Sequence, residues 1–478
     1  MAELVAAEGF LAAADPRAPV LANAQLDYGE LRKLVAAGAA ALAADLPPRS
    51  SILLAMEPTP SAIASYLAVL RAGMTAVPIG TGRDGSTVGT IVEDAEPAAR
   101  IGDFGPLESN LAAVPCWTPH DGGAAASPPH PEPDAPALIL YTSGTTASPK
   151  GVVLSQRNLA ANTASILAAV SLHGSDVVAL VLPLHHSYGL SVLHTALSVG
   201  AQLAPGGDFR FPNEGVRRMA AAEVSVFPGV PFHFQALLGR KTGFDSTGMP
   251  RLRSALVAAG AMPVRLIATF RHRFPGVELN VMYGQTEGAA RLSALPPAEL
   301  LRRPGSIGRG IPGVELSVRH PDGTHVQGDE VGEIYARGEN VMRGYLNDPV
   351  ATAEVLTPFG LRTRDLGRVD TDGYVYVVGR IGDFAKVRGH RVNLLAVEAA
   401  IEACEAVTDA VALCIKNAQG EEEIAAELVL ADGAPADALT KLRQELRETL
   451  PPAERPREIR AVESIPRTAS GKKIRWRA

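Results

Sequence analysis

The segment Tyr141–Gly151, YTSGTTASPKG, brings small residues, hydroxyl groups and a lysine together directly after an apolar run. Such a loop can surround an anion with unhindered backbone N–H groups, hydroxyls and one ammonium group. It is not a Walker A loop, because its lysine is followed by glycine and not by serine or threonine. The alternative, from this segment alone, is a polar surface turn. The candidate phosphate-binding residues are Thr142, Ser143, Gly144, Thr145, Thr146 and Lys150.

A second segment, MYGQTEG at Met282–Gly288, places an aromatic ring, a hydroxyl and a carboxylate at the end of an apolar run. Tyr283 can stack on a purine, Thr286 can donate to a phosphate, and Glu287 can ligate a hard cation such as Mg²⁺. Taken alone, Glu287 fits a solvated loop acid better than a metal ligand. The neighbouring tyrosine, glycine and threonine favour the metal-binding interpretation.

Two further polar segments lie towards the C-terminus. In RTRDLG, Asp365 offers two acceptor oxygens that suit a ribose diol, although a turn-capping aspartate is the alternative. The last segment, PRTASGKKIR, carries Lys472 in a basic tail. Such a tail is usually a solvated run of charge. A flexible loop that ends in an ammonium group is also what anion chemistry requires.

The elements that must position these groups are short strands and longer helices. Apolar runs at Ala137–Tyr141, Val177–Leu182 and Leu279–Tyr283 are typical of buried strands, and helical patterns lie between such runs. The alternation predicts stacked α/β sheet layers. The proline-rich stretch Cys116–Pro136 predicts a loop that leads into one of these strands. We find no internal repeat.

The pattern changes near Gly379. A helix is predicted around Leu395–Cys404 and two strands at Val407–Ile415 and Ile424–Leu430. Another helix carries Leu439, Leu442, Leu446 and Leu450 on one face, and a last strand, Glu458–Val462, precedes the basic tail. We therefore predict a large α/β domain over residues 1–380 and a small α+β domain over residues 381–478.

Composition excludes several other classes of protein. The 478 residues are 46% hydrophobic and 20% charged, which is typical of a globular chain and not of a disordered one. The net charge of −6 gives no general reason to expect nucleic-acid binding. Three scattered cysteines, Cys116, Cys404 and Cys414, do not form a disulfide framework or a metal cage. The N-terminus lacks a secretory signal and no apolar stretch spans a membrane, so we expect a cytoplasmic protein.

Six motifs, in order, resemble those of the adenylate-forming superfamily, which contains acyl-CoA synthetases, nonribosomal-peptide adenylation domains and beetle luciferases. The resemblance spans essentially the whole chain. The motifs are YTSGTTASPKG, the Gly260-Ala261 pair in LVAAGAMP, MYGQTEG, RTRDLG, GRIGDFAKVRGHRV at Gly379–Val392, and PRTASGKKIR at Pro466–Arg475.

This resemblance implies a large AMP-binding domain and a small mobile domain that turns about Gly382. It implies ATP, Mg²⁺ held by Glu287, and a thiol substrate that is either CoA or carrier-protein phosphopantetheine. Lys472 is then the catalytic lysine of adenylation, and Gly389 lets a pantetheine chain pass. The matching nucleotide-binding positions, beyond the phosphate loop, are Gly260, Ala261, Tyr283, Gly284, Gln285, Thr286, Asp365 and Arg380.

The sequence departs from the family pattern at two of these motifs. Arg364 stands where the family usually has glycine, beside the ribose-binding Asp365. Gly382 stands where the family commonly has aspartate or lysine. Glycine permits more backbone conformations and therefore fits a hinge, although it favours no single domain orientation.

The segment Pro183–Ser191, PLHHSYGLS, matches the family stretch that lines the acid pocket. It lacks the aspartate that pairs with an amino-acid ammonium group, and it lacks the asparagine, at Ser187, of many enzymes for catecholic acids. His186 would then lie near the substrate carboxylate; the alternative is a histidine bonded within a helix start. The cluster Phe227–Phe234 fits either the wall of a pocket for an uncharged acyl or aryl tail or plain core.

Three functional hypotheses follow. The first is an ATP-dependent carboxylate–CoA ligase for an aliphatic or aryl acid, and the second is a stand-alone enzyme that loads a carrier protein. The third, from another class, is a catalytically inactive nucleotide-binding or scaffold protein. The joint presence of Glu287, Asp365, Arg380 and Lys472 argues against this third hypothesis.

Overall fold

The chain divides into two compact units. A computed structural model describes residues 6–22, 24–118, 128–142, 149–206, 209, 211–239, 242–381, 384–387, 390–417, 421–431, 433–467 and 473. Unit 1 comprises Met1–Leu316 and Tyr335–Arg362, and unit 2 comprises Ser317–Ile334 and Thr363–Ala478. The predicted hinge residue Gly382 lies outside the described residues, so the boundary there stays a prediction.

The helices and strands are numbered in chain order. The helices are α1 Ala6–Leu11, α2 Tyr28–Asp45, α3 Pro60–Arg71, α4 Gly85–Ala95, α5 Gln156–Ala169, α6 Ser187–Val199, α7 Pro212–Ala221, α8 Pro231–Leu238, α9 Val264–Arg273, α10 Pro349–Val355, α11 Leu394–Glu402 and α12 Ala438–Thr449. Short 3₁₀ turns occupy Gly105–Leu111, Thr286–Gly288 and Pro297–Glu299. The strands are β1 Ser51–Ala55, β2 Thr75–Ile79, β3 Ala99–Ile101, β4 Pro136–Thr142, β5 Lys150–Ser155, β6 Val177–Leu180, β7 Gln202–Pro205, β8 Val226–Gly229, β9 Ser254–Val257, β10 Glu278–Tyr283, β11 Ser293–Leu295, β12 Ser306–Gly310, β13 Val314–Arg319, β14 Gly332–Gly338, β15 Gly344–Tyr345, β16 Leu356–Thr357, β17 Gly360–Val369, β18 Val375–Arg380, β19 Phe384–Val387, β20 His390–Asn393, β21 Val407–Lys416, β22 Glu422–Leu430 and β23 Glu458–Ala461.

Unit 1 contains two sheets. The first has the strand order β15-β5-β4-β2-β1-β3, with β1 to β4 parallel and with β5 and β15 antiparallel to their neighbours. In the second, β7, β6, β8, β9 and β10 run parallel in that order, and β11 and β12 follow as antiparallel strands. The predicted strands at Ala137–Tyr141, Val177–Leu182 and Leu279–Tyr283 correspond to β4, β6 and β10. The expected α/β layers are therefore confirmed.

The core of unit 1 forms because helices and strands each bury an apolar face. Helix α2 begins at a capping box in which Asp27 accepts from the backbone N–H of Glu30 and the Glu30 side chain accepts from that of Asp27. Helix α6 has buried residues on most of its faces, ten in all, as expected for a helix that is enclosed by protein. None of the described helices is long and apolar enough to cross a bilayer.

Unit 2 contains a three-stranded sheet with two helices. Strands β21 and β22 are antiparallel, and β23 pairs with β22 in parallel. Val397 and Ile401 of α11 and Leu442 and Leu446 of α12 are buried in one apolar cluster with residues of this sheet. These elements confirm the helices and strands predicted for the C-terminal part of the chain.

His194 is a buried histidine in the middle of α6. Its side chain is 3% exposed, its Nε2 lies 2.8 Å from the Tyr66 hydroxyl, and its ring stacks on Phe10. Burial lowers the pKa of His194 to about 3. The folded chain therefore keeps this imidazole neutral at pH values where an unfolded chain protonates it.

We expect His194 to make the stability of unit 1 depend on pH. Between pH 6.5 and pH 3 the unfolded state binds a proton that the folded state does not, so the free energy of unfolding falls as pH falls. At pH 5 the loss from this one group amounts to about 2 kcal/mol. His194→Gln should weaken the difference in urea stability between pH 7 and pH 5. His272→Gln, on an exposed turn of α9, is the control; an equal pH dependence in both variants would contradict this assignment.

Candidate functional site

One edge of the second sheet gathers four of the candidate segments. Strands β6, β8, β9 and β10 are parallel, so their carboxyl ends meet at the same edge. The segments that leave this edge are Pro183–Ser191 after β6, Val230–Phe234 after β8, Gly260-Ala261 after β9 and Gly284–Glu287 after β10. Residues distant in the sequence thus share one surface, as ligand sites in such sheets require.

The turn after β10 is tight and depends on glycine. Gly284 has no room for a side chain, since a Cβ atom there would lie 2.0 Å from the carbonyl oxygen of Ala290. Ala289 and Ala290 have φ angles of 52° and 112°, which non-glycine residues rarely adopt. This folded-back path leaves Tyr283, Gln285 and Thr286 partly exposed. The turn therefore presents to solvent the side chains predicted to meet a nucleotide.

The hydroxyl of Thr286 reaches the first turn of α6. Its Oγ1 lies 3.3 Å from the Oγ of Ser187. His186 is the N-cap residue of α6, and its side chain makes no capping hydrogen bond to that helix. The role of His186 beside the substrate carboxylate stays a prediction. Gly189 lets the backbone of α6 lie close to the backbone at Pro183, because a Cβ atom on residue 189 would lie 2.2 Å from the carbonyl oxygen of Pro183.

Glu287 is connected to the lysine of the phosphate-loop segment through a tyrosine. The Tyr345 hydroxyl donates to Glu287 Oε1 at 2.8 Å, and Lys150 Nζ lies 5.1 Å from the centre of the Tyr345 ring. Lys150 also forms an ion pair with Asp348 at 3.3 Å. The sequence analysis missed Tyr345, although the run Gly344–Asp348 is a turn-rich signal between elements. Tyr345 holds the orientation of the candidate metal ligand.

The other candidate positions of unit 1 divide between surface and core. Gly260 and Ala261 are exposed in the turn between β9 and α9. Phe227 and Phe234 are fully buried, with their rings 5.4 Å apart and edge-on. The segment Phe227–Phe234 was predicted to form either the wall of a pocket or plain core, and Phe227 and Phe234 themselves belong to the core.

His185, next to His186, is a neutral imidazole at neutral pH. Burial, and secondly the neighbouring His186 and Arg83, lower the pKa of His185 to about 3. Arg83 donates to the carbonyl oxygen of Tyr141, at the end of β4, at 3.2 Å. Sequence reasoning also missed Arg83, because nothing in its local pattern distinguishes it from a surface cation.

Unit 2 brings Asp365 and Arg380 together. The two residues face each other on β17 and β18, and Arg380 Nε lies 3.8 Å from Asp365 Oδ1. Arg364 has a φ angle of 63° and its carbonyl oxygen accepts from the N–H of Ile381 at 2.8 Å. A left-handed backbone explains why glycine suits this position, and arginine adopts it here at a cost of roughly 1 kcal/mol.

Lys473 is buried in a cluster of carboxylates in unit 2. Its Nζ lies 2.7 Å from Glu402, 3.3 Å from Asp409 and 3.5 Å from Glu398, and the side chain is 16% exposed. Burial by itself lowers the pKa of Lys473, but the three carboxylates outweigh burial and raise it. Lys473 also forms a β-bridge with Arg467, which pairs with Asp409. Both residues that flank positions 468–472 are thus fixed to α11 and β21.

Several predicted residues lie outside the described part of the chain. They are Ser143, Gly144, Thr145 and Thr146 of the phosphate loop, Gly389, and Lys472. Their assignments remain predictions. Thr142 and Lys150, which flank the loop, end β4 and begin β5.

Glu287 can hold a divalent cation whose other ligands would be phosphate oxygens and water. Among the described residues no group of three or more His, Cys, Asp or Glu side chains can enclose a metal ion. Mg²⁺ does not need such an enclosure, because it is usually held by one or two carboxylates together with phosphates and water. Glu287 has one oxygen oriented by Tyr345 and a second oxygen with capacity to bind.

Known proteins are similar to this chain over most of its length. A family model for AMP-binding enzymes matches residues 11–346, and one for the C-terminal domain of AMP-binding enzymes matches residues 396–472. A sulfoacetate–CoA ligase from Cupriavidus necator is 37% identical over 377 residues, 77% of this chain and 70% of that protein. An indoleacetate–CoA ligase from Aromatoleum aromaticum is 29% identical and covers 94% of this chain and 91% of its own. The crystal structure of ATP-bound MatB from Rhodopseudomonas palustris has a TM-score of 0.86 at 26% identity, over 98% of this chain and 97% of that one.

Proposed function

We infer that this chain, which belongs to the AMP-binding enzyme family, joins a carboxylic acid to AMP and then passes the acyl group to the thiol of CoA. The observation that carries the proposal is the single sheet edge that presents Tyr283, Thr286 and Glu287 next to the first turn of α6. The relatives described above are CoA ligases, and their acids differ widely in chemistry, so the acid must be argued from this chain's own pocket residues.

The first step needs positive charge because both reactants are anions. A carboxylate oxygen attacks the α-phosphorus of ATP, the bond from that phosphorus to the bridging oxygen breaks, and pyrophosphate leaves with the electron pair. Mg²⁺, when bound, neutralises the charge that develops on the phosphate oxygens. Tyr345 orients Glu287, which would hold the ion, and Lys150 is at the end of the phosphate loop. Lys472, by family resemblance, supplies a further ammonium group in this step.

The second step replaces AMP with a thiol. The sulfur attacks the acyl carbon, the bond from that carbon to the phosphate oxygen breaks, and AMP leaves, while the thiol proton passes to solvent. No side-chain nucleophile is required, which agrees with the scattered and partly buried cysteines of this chain. By resemblance, the C-terminal domain turns about Gly382 between the two steps, withdraws Lys472, and brings Gly389 to the pantetheine.

The acid is proposed to be aliphatic or aryl and not an α-amino acid. The α6 segment offers His186, Ser187 and Tyr188 but no carboxylate that would pair with an ammonium group. Carrier-protein pantetheine remains the alternative acceptor, since its thiol is chemically the same as that of CoA.

We expect the purified chain to release pyrophosphate from ATP and Mg²⁺ when a suitable carboxylic acid is supplied. A panel of aliphatic, aryl, dicarboxylic and amino acids identifies the acid by the rate of pyrophosphate release. Addition of CoA, or separately of a pantetheinylated carrier protein, then shows which thiol discharges the adenylate, by the appearance of the thioester. A chain that releases no pyrophosphate with any acid, and exchanges none into ATP, would refute the proposed function.

A further inference from the structure

Arg291 is a buried cation that lies four residues after the candidate metal ligand Glu287 and four residues before the end of β11. It is 3% exposed, and its Nε is buried without an acceptor among the described residues. Its Nη1 donates to the carbonyl oxygen of Ala290 at 3.2 Å. Across the described part of the chain no carboxylate lies within ion-pairing distance of it. A buried charge normally has such a partner, since its transfer out of water is costly.

The position of the guanidinium is fixed by the first turn of α6. It lies over the ring of Tyr188, 3.8 Å from the centre. The Tyr188 hydroxyl in turn donates to the carbonyl oxygen of Leu256 at 2.9 Å, at the carboxyl edge of the sheet. Ser187, the residue before Tyr188, contacts Thr286. Two neighbouring residues of α6 thus make these contacts: Ser187 with Thr286 in the turn after β10, and Tyr188 with Arg291.

The local backbone does not need this side chain for support. Asn162 and Asn340 both donate to the carbonyl oxygen of Arg291, at 2.8 Å and 3.0 Å, and Asn162 also accepts from its N–H. The unfavourable φ of 112° at Ala290 immediately precedes it. Strain of this kind is retained where the surrounding structure requires one particular orientation, often at a ligand site.

We propose that Arg291 binds a second anionic group of the acid substrate, a carboxylate or a sulfonate, while the first carboxylate is activated. The inference rests on the proposed function and narrows its substrate class. A planar guanidinium is the side chain best suited to an oxyanion, and the Nε of Arg291 has no acceptor among the described residues. Burial lowers the pKa of Arg291, as expected of a cation that lacks a permanent counter-charge, and a bound oxyanion would supply that charge.

Matched acids in the wild-type chain test the charge directly. Succinate is compared with its monomethyl ester, and 3-sulfopropionate with 3-(methylsulfonyl)propionate, together with longer and shorter homologues of each pair. We expect kcat/KM for pyrophosphate release to be at least about 100-fold higher for the anionic member of one pair. The pair that shows this preference identifies the anion as a carboxylate or a sulfonate.

Arg291→Met tests the residue, because methionine keeps an apolar chain and removes the charge. We expect kcat/KM for the preferred anionic acid to fall about 100-fold, with a much smaller change for its neutral partner. Arg291→Lys should retain part of the preference. Arg271→Met, which removes an exposed cation of α9, is the control and should leave the preference unchanged.

The outcomes separate the two proposals. If neutral acids release pyrophosphate and no pair favours its anionic member, the proposed function stands and the role of Arg291 is refuted. The same conclusion follows if Arg291→Met leaves the preference intact. If Arg291→Met does not fold, Arg291→Lys decides: a reduced preference for the anionic acid supports the role of Arg291, and an unchanged preference refutes it. If no acid at all releases pyrophosphate, it is the proposed function that fails.

Discussion

Replacement of Lys472 by alanine is expected to slow adenylate formation by about 10²–10³-fold, the usual effect of losing one key electrostatic group. Transfer of the acyl group from preformed adenylate to CoA should slow much less. The reason is that the ammonium group is required where charge accumulates around the α-phosphate, whereas the thiol attacks an intermediate that is already activated. Single-turnover measurements of the two half-reactions separate these effects.

Lys416→Ala is the matched control for this experiment. Lys416 is an exposed lysine at the end of β21 in the same unit, so its loss should leave both half-reactions unchanged. Equal losses in the two half-reactions of Lys472→Ala would contradict a mechanism in which the lysine is withdrawn before the second step.

Lys473→Met is expected to destabilise unit 2 by about 3–5 kcal/mol, because it removes the cation that Glu398, Glu402 and Asp409 share and leaves Arg467 as the cation beside Asp409. Hydrogen exchange in α11 and β21 of the full chain, together with urea unfolding, measures the loss. Lys473→Arg keeps the charge and should recover most of the stability. Lys473→Met combined with Glu402→Gln should be less damaging than the sum of the two separate changes, because the surplus negative charge is reduced.

Lys441→Met provides the contrasting case. Lys441 forms an ion pair with Asp437 on α12 in which both side chains are more than half exposed. Exposed pairs of this type contribute about 0–1 kcal/mol. A stability loss for Lys473→Met no larger than that for Lys441→Met would show that the buried cluster does not hold unit 2 together.

The sequence was sufficient for those features that depend on local pattern. The apolar run Leu279–Tyr283 predicted a buried strand, because a short run of apolar side chains is stable only where most of them are buried. Strand β10 occupies that position. The spacing Tyr283, Thr286, Glu287 likewise placed three functional groups on one short turn. The predicted domain boundary near residue 380 stays a prediction. Segment 317–334 belongs to unit 2, which no local pattern indicates.

The partners of these functional groups depended on the tertiary structure. Tyr345 donates a hydrogen bond to Glu287, although 58 positions separate the two residues. Arg291 lies over the ring of Tyr188 in α6, about a hundred positions before it in the sequence. Lys473 belongs to the segment PRTASGKKIR, a composition typical of a solvated basic tail, yet its side chain lies among carboxylates of α11 and β21. The physical reason is common to all three. Periodicity reports whether a residue is buried, whereas the strand order and the tight turns decide which distant side chain it meets.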